Sequence, residues 1–119
     1  MPKYMALIYT DEHLGDNVSP EEAQKSYEAY GAFTEEARGS GKMEAGDALQ
    51  PTNTATTVRV RDGKVATTDG PFAETKEQLG GFYMFNCKDL DEAIEWAAKI
   101  PGAQYGSIEV RPLMEFPDA

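Results

Sequence analysis

Two short apolar runs constrain the fold more than anything else in this chain: Tyr4-Met5-Ala6-Leu7-Ile8-Tyr9 and Phe82-Tyr83-Met84-Phe85. Neither alternates apolar with polar residues. Runs of this kind predict strands covered on both faces, and such strands lie inside a sheet rather than at its rim. We therefore expect central strands over residues 3–10 and around 82–85.

The other elements follow from local chemistry. Ser19 before Pro20, with Glu22 three residues after Ser19, predicts a capped helix. Ala23, Tyr27, Tyr30, Phe33 and Ala37 recur at helical spacing and should form its buried face, and Gly39 and Gly41 should end it near residue 38. A weaker strand is expected over 42–49, closed by Gln50-Pro51. Residues 55–61 alternate with period two, Asp62-Gly63 is a hairpin turn, and 64–68 is the return strand. The polar face of this hairpin predicts a place at a sheet edge or over a cleft. Asp89 or Asp91 should open a second helix that buries Leu90, Ala93, Ile94 and Ala97, with Trp96 on the flank. A last strand is expected over 107–115, and Pro112 marks an edge or the end of pairing.

The order β-α-β-(hairpin)-β-α-β predicts an α+β fold: a ferredoxin-like, split β-α-β domain with an inserted hairpin, one domain over 1–119. Helices should cover one sheet face. The other carries large apolar side chains and calls for a second subunit, so a homodimer is expected. In such a domain we expect the first and third core strands to run parallel. That would put His13, after the first, far from Lys76, before the third, unless a partner subunit or a folded-back hairpin unites them.

Composition narrows the function classes. Eleven basic against twenty-one acidic residues give a formal charge of -10, which repels phosphate backbones, so no nucleic-acid role is expected. One cysteine, Cys87, excludes an internal disulfide and a multi-cysteine metal site, and points to a reducing, cytoplasmic location. There is no signal pattern at Met1-Pro2-Lys3-Tyr4 and no apolar run of membrane-span length. No phosphate-binding loop, nucleophile elbow, dinucleotide fingerprint or metal-ligand spacing occurs, so neither metal nor organic cofactor is expected.

The candidate chemistry sits in Thr68-Asp69-Gly70-Pro71-Phe72-Ala73-Glu74-Thr75-Lys76-Glu77-Gln78-Leu79-Gly80-Gly81-Phe82-Tyr83. Asp69 has two readings: a turn former whose carboxylate accepts a backbone N–H two residues on, or a general base. Gly70 suits a positive φ, and Phe72 is read as the anchor that buries the loop. Glu74, Lys76 and Glu77 are either a surface salt-bridge set or a site in which Lys76 binds an anionic group and a glutamate moves protons. Gly80-Gly81 permits a close approach by ligand or backbone, or marks a β-bulge. Tyr83 offers a hydroxyl if its side chain faces a cleft, which we expect only on the partner side of the sheet. Arg59 and Arg61 share the polar face of the hairpin, and these or Arg111 could bind a carboxylate, with Arg59 or Arg111 expected near the site. His13, with Asp11 and Glu12, is a weaker acid/base candidate.

This segment closely resembles the signature of the DGPF-domain proteins, a branch of the YCII-related superfamily. Tyr30-Gly31-Ala32-Phe33, Ala55-Thr56-Thr57-Val58-Arg59, Ile100-Pro101 and Tyr105-Gly106-Ser107-Ile108-Glu109-Val110-Arg111-Pro112 are similar to family sequence as well. The resemblance implies a ferredoxin-like subunit in a dimeric α+β barrel. It implies no specific reaction. Some relatives accompany extracytoplasmic-function sigma factors, so a regulatory contact with such a factor stands beside a small-molecule role. The wider superfamily uses a His/Asp pair, and His13 is the one histidine here.

Overall fold

The computed structural model describes residues 1–117. Strand β1 (Lys3–Thr10) is followed by a 3-10 turn (Glu12–Gly15), helix α1 (Pro20–Gly39) and strand β2 (Met43–Ala48). Strands β3 (Thr56–Arg61) and β4 (Lys64–Asp69) come next, then β5 (Gln78–Asn86), helix α2 (Leu90–Ala98), a 3-10 turn (Pro101–Gln104) and β6 (Ser107–Pro112). The fold is mixed α+β. Four strands form an open sheet in the order β2-β5-β1-β6, and β3-β4 form a separate two-stranded sheet. Among the described residues the sheet does not close into a barrel. The two unbroken apolar runs, β1 and β5, hold the two inner positions.

Every neighbouring pair in the larger sheet is antiparallel, β1 with β5 included. This corrects the expected parallel relation between the first and third core strands. In a β-α-β unit the two strands joined by the helix run the same way, and a strand inserted between them by returning connections must oppose both. Thr10 consequently pairs with Gln78, and the end of β1 lies beside the start of β5.

One sheet face is packed. Tyr4, Ala6 and Ile8 of β1, Tyr83 and Phe85 of β5 and Cys87 just past it meet Phe33 and Ala37 of α1, Ala93 of α2, and Ile100. Phe33 meets Tyr83 edge-on, with ring centroids 5.0 Å apart, and Phe85 stacks on Trp96 at 6.0 Å. Trp96 is partly buried and packs against this core from its flank, while Leu90 and Ile94 stay about half exposed. In α1 the buried stripe is shorter than the periodicity implies. Phe33 and Ala37 are buried and Tyr30 partly so, but Ala23 and Tyr27 are exposed because the first turns overhang the sheet. Ser19 caps α1 by accepting from the Glu22 N–H at 3.1 Å, and Asp89 caps α2 by accepting from Glu92 at 2.9 Å.

The opposite face is open. Met5 pairs with Met84 and Leu7 with Phe82 across β1 and β5, all half-buried. The hairpin neither extends the larger sheet nor covers a cleft; β3 and β4 pair with each other, and every residue from 58 to 69 is exposed. Its turn is the expected one, with Asp62 at φ 51° and Gly63 at φ 74°. The last strand stops at Pro112, which pairs opposite Tyr4 at the sheet edge.

Candidate functional site

The signature segment does not fold as one cluster. Gly70 takes the expected positive φ, 103°, and the turn is held by the backbone: Gly70 N–H donates to Ala55 C=O at 2.7 Å, and Thr57 Oγ1 donates to Gly70 C=O at 2.8 Å. The Asp69 carboxylate does not build this turn. The residue two positions on is Pro71, which has no N–H to give, so the expected Asx turn cannot form. Phe72 is 80% exposed and buries nothing within the chain. Glu74 and Lys76 are exposed, and the ion pairs among the described residues involve neither. Thr75 and Gln78 pin the loop instead: Thr75 Oγ1 donates to Glu77 C=O, and Gln78 Nε2 to Thr75 C=O, each at 2.6 Å.

The glycine pair has a structural role. The β1–β5 register steps from Ile8↔Gly81 to Tyr9↔Leu79, so Gly80 is the extra residue of a β-bulge. Beside it, a Cβ on Gly81 would lie 2.9 Å from the Asp47 carbonyl oxygen. The bulge and the close approach of β2 thus coexist.

Antiparallel pairing brings the 11–16 loop to the signature loop. The Glu12 N–H donates to Gln78 Oε1 at 2.8 Å, and the Glu12 carboxylate accepts from Thr52 N–H at 2.7 Å and Thr52 Oγ1 at 2.8 Å. His13 lies at the same end of the sheet as Lys76, contrary to the expected separation. Its ring is exposed and pairs with Asp16 at 3.1 Å; that hydrogen bond and the Asp16 and Asp11 charges raise its pKa. The other candidates disperse. Tyr83 points to the helices, Arg59 stands on the hairpin, and Arg111 lies on the open face opposite Met5.

The helix side, not the open side, carries the cleft that Tyr83 reaches. It runs between α1 and the β2–β5 side of the sheet, with a volume of about 470 Å³. Tyr30, Thr34, Arg38, Tyr83 and Tyr105 supply its polar groups, and Gly46, Gly80 and Gly81 leave room at its wall. Thr34 Oγ1 and the Tyr83 hydroxyl share a hydrogen bond of 2.8 Å. The Tyr30 hydroxyl accepts from Gly102 N–H at 3.1 Å, and its pKa is pushed up to about 12, first by burial and then by Tyr105. Arg38, in the last turn of α1, makes no ion pair among the described residues. Asp47, near the end of β2, pairs with Phe82, so its side chain lies on the open face and its backbone adjoins the cleft wall at Gly81. A second hollow along α1 shares Tyr30, Thr34, Arg38 and Tyr83 and adds Tyr27.

Sequence reasoning named Tyr83, Gly80 and Gly81 but missed Thr34, Arg38 and Tyr105. A signal was present: Tyr27, Tyr30, Thr34 and Arg38 follow helical spacing and form a polar stripe beside the core stripe.

Among the described residues no cluster of three or more His, Cys, Asp or Glu side chains could hold a metal, and no helix is long and apolar enough to cross a membrane. The YCII-related domain pattern matches residues 2–117. An uncharacterized protein of Rhizobium meliloti (strain 1021) is 41% identical over 112 residues, covering 92% of this chain and 90% of the relative. With the match spanning nearly its whole length, this chain belongs to the YCII-related family.

Proposed function

We propose that this YCII-related domain is a small-molecule enzyme or binding protein that takes a small organic acid in the α1–sheet cleft, with no metal or organic cofactor. The observation that carries the reading is the pairing of Arg38, which has no ion-pair partner among the described residues, with three phenols in one cleft of about 470 Å³. That volume suits a small ligand, and the lining suits an apolar or flat body with a charged end. A guanidinium recognises a carboxylate by paired N–H donors. The Tyr83 and Thr34 hydroxyls can orient a polar group beside it. Asp69, Glu74 and Lys76 lie outside this cleft in a single chain. They act on a bound ligand only if loop closure or a partner subunit brings them over, so Arg38 replaces Lys76 as the anion anchor.

The same proposal takes the subunit as one ferredoxin-like domain in a cytoplasmic homodimer, an α+β barrel formed where open sheet faces meet. The support is the strand order β2-β5-β1-β6 and the half-buried Met5, Leu7, Phe82 and Met84 on the bare face. Leu7→Glu should give a folded monomer by light scattering.

A thermal-shift screen of small acids, amines and phenols tests the ligand. Acids should raise the Tm, and Arg38→Gln should weaken them by roughly 10- to 100-fold, the worth of a charge-assisted hydrogen bond. Equal binding by Arg38→Gln, or loss with Lys76→Ala instead, would move the site to the signature loop. One observation favours the regulatory reading, a contact with a partner such as a sigma factor: Phe72 is 80% exposed. A screen without any hit would favour that reading.

A further inference from the structure

We infer that the β3–β4 hairpin is a docking arm that lies against a second copy of this chain. The inference rests on the homodimer proposed above and adds a separate contact to it. Register splits the arm into two unlike faces. Val58, Val60 and Val65 share one face, where Val60 pairs with Val65; Arg59, Arg61 and Lys64 share the other, where Arg61 pairs with Lys64. The three valines are 59%, 57% and 71% exposed. A two-stranded hairpin is marginal alone in water, and a row of bare β-branched residues on it calls for a covering surface.

Shape supports another chain as that surface. The molecule measures 50 × 47 × 19 Å, so it is a slab two layers thick, and the arm is not folded back over its own sheet. Its radius of gyration is 16.6 Å, against about 13.5 Å for a compact chain of this length.

Charge selects a second copy as the occupant. Residues 56–69 hold three cations and two carboxylates, a charge of +1. The total is -10, so the rest of the chain carries -11. Two such bodies repel, and the arm is the element of opposite sign. Its cationic face draws it to the acidic body of another copy, and its valine face supplies the adhesion.

Light scattering and sedimentation across a salt series test this. The wild-type chain should dimerise, and association should weaken as salt rises. The Val58→Ser/Val60→Ser/Val65→Ser variant should associate at least roughly tenfold more weakly, with an unchanged circular dichroism spectrum. Should that variant unfold, Arg59→Glu/Arg61→Glu/Lys64→Glu decides, because it leaves the apolar face intact. It should weaken association by a similar factor and reverse or remove the salt effect. A monomeric wild type would overturn both the dimer and the arm. A dimer broken by Leu7→Glu but untouched by either arm variant would overturn the arm alone.

Discussion

The Gly46–Tyr83 contact shows how one missing side chain shapes the cleft. A Cβ on Gly46 would lie 2.7 Å from Tyr83 Cδ1, well inside contact distance. Tyr83 cannot yield easily, because Thr34 holds its hydroxyl and Phe85 stacks on its ring. Gly46→Ala should therefore cost about 1–3 kcal/mol in urea denaturation, and it should displace the cleft's hydroxyl pair. Tyr30 predicts a pH effect. Its pKa lies above the ordinary 10.0 in the folded chain and near 10.0 in the unfolded one. The raised value favours the neutral phenol on folding, so this stabilisation is complete below pH 10 and is lost as pH rises toward about 12. Tyr30→Phe should remove a phenolate step near pH 12 from an absorbance titration and flatten the alkaline fall in Tm. None of this was legible in the sequence. Tyr30 reads as one more core aromatic, and only the packed helix shows that its hydroxyl reaches the Gly102 backbone.

The two helices carry comparable caps but should respond differently to their loss. Asp89 accepts from Glu92 N–H, and the Glu92 carboxylate accepts from Lys88 N–H and pairs with Lys42 at 3.0 Å. The helix behind it buries Ala93 and Ala97, so its first turn is part of the core. Asp89→Ala should cost about 1 kcal/mol of global stability by urea titration. Ser19→Ala should cost less, since the first turns of α1 overhang the sheet and can fray alone. The Lys42 contact also holds the Glu92 carboxyl below its usual range. Its contribution is present above the ordinary carboxylate pKa and is lost as pH falls through the depressed one. Glu92→Gln should therefore reduce the acid sensitivity of the Tm. The Ser19 cap was readable because a cap is a local pattern of four residues; for α2 the sequence left Asp89 and Asp91 open, and Asp89 is the cap. The buried face of α2 was readable in part: Ala93 and Ala97 are buried as their spacing implies, but Leu90 and Ile94 stay about half exposed and Trp96 packs partly buried beside them.

At the scale of the whole molecule, stability should be uneven. The inner strands β1 and β5 hold five of the eleven buried hydrophobic side chains, whereas the hairpin holds none of them. Hydrogen exchange should show the slowest amides at Ala6, Ile8, Tyr83 and Phe85, and the fastest strand amides in 56–69. Protection of the hairpin that grows with protein concentration would mark its burial by a second copy. Much of this layout was legible: two apolar runs named the inner strands, Asp62-Gly63 the hairpin turn, and Pro112 the end of β6. The relation between distant segments was not. Antiparallel pairing of Thr10 with Gln78 joins the Glu12 loop to the signature loop, against the expected separation.

By itself, then, the sequence determined whatever a few adjacent residues decide: caps, turns, the apolar runs of the inner strands, the acidic balance and the family signature. Gly70 takes a positive φ and Asp62-Gly63 closes a tight turn, as their local sequence predicts. Tertiary structure alone decided which sheet face each period-two residue meets. Alternation puts Tyr83 and Phe82 on opposite faces but cannot say which face the helices take. Two helices on one side placed Tyr83 among Phe33, Thr34 and Tyr30, and so set the cleft beside α1 rather than at Asp69 and Lys76. The reason is physical: a side chain's direction is local, but its environment is made by elements many residues away.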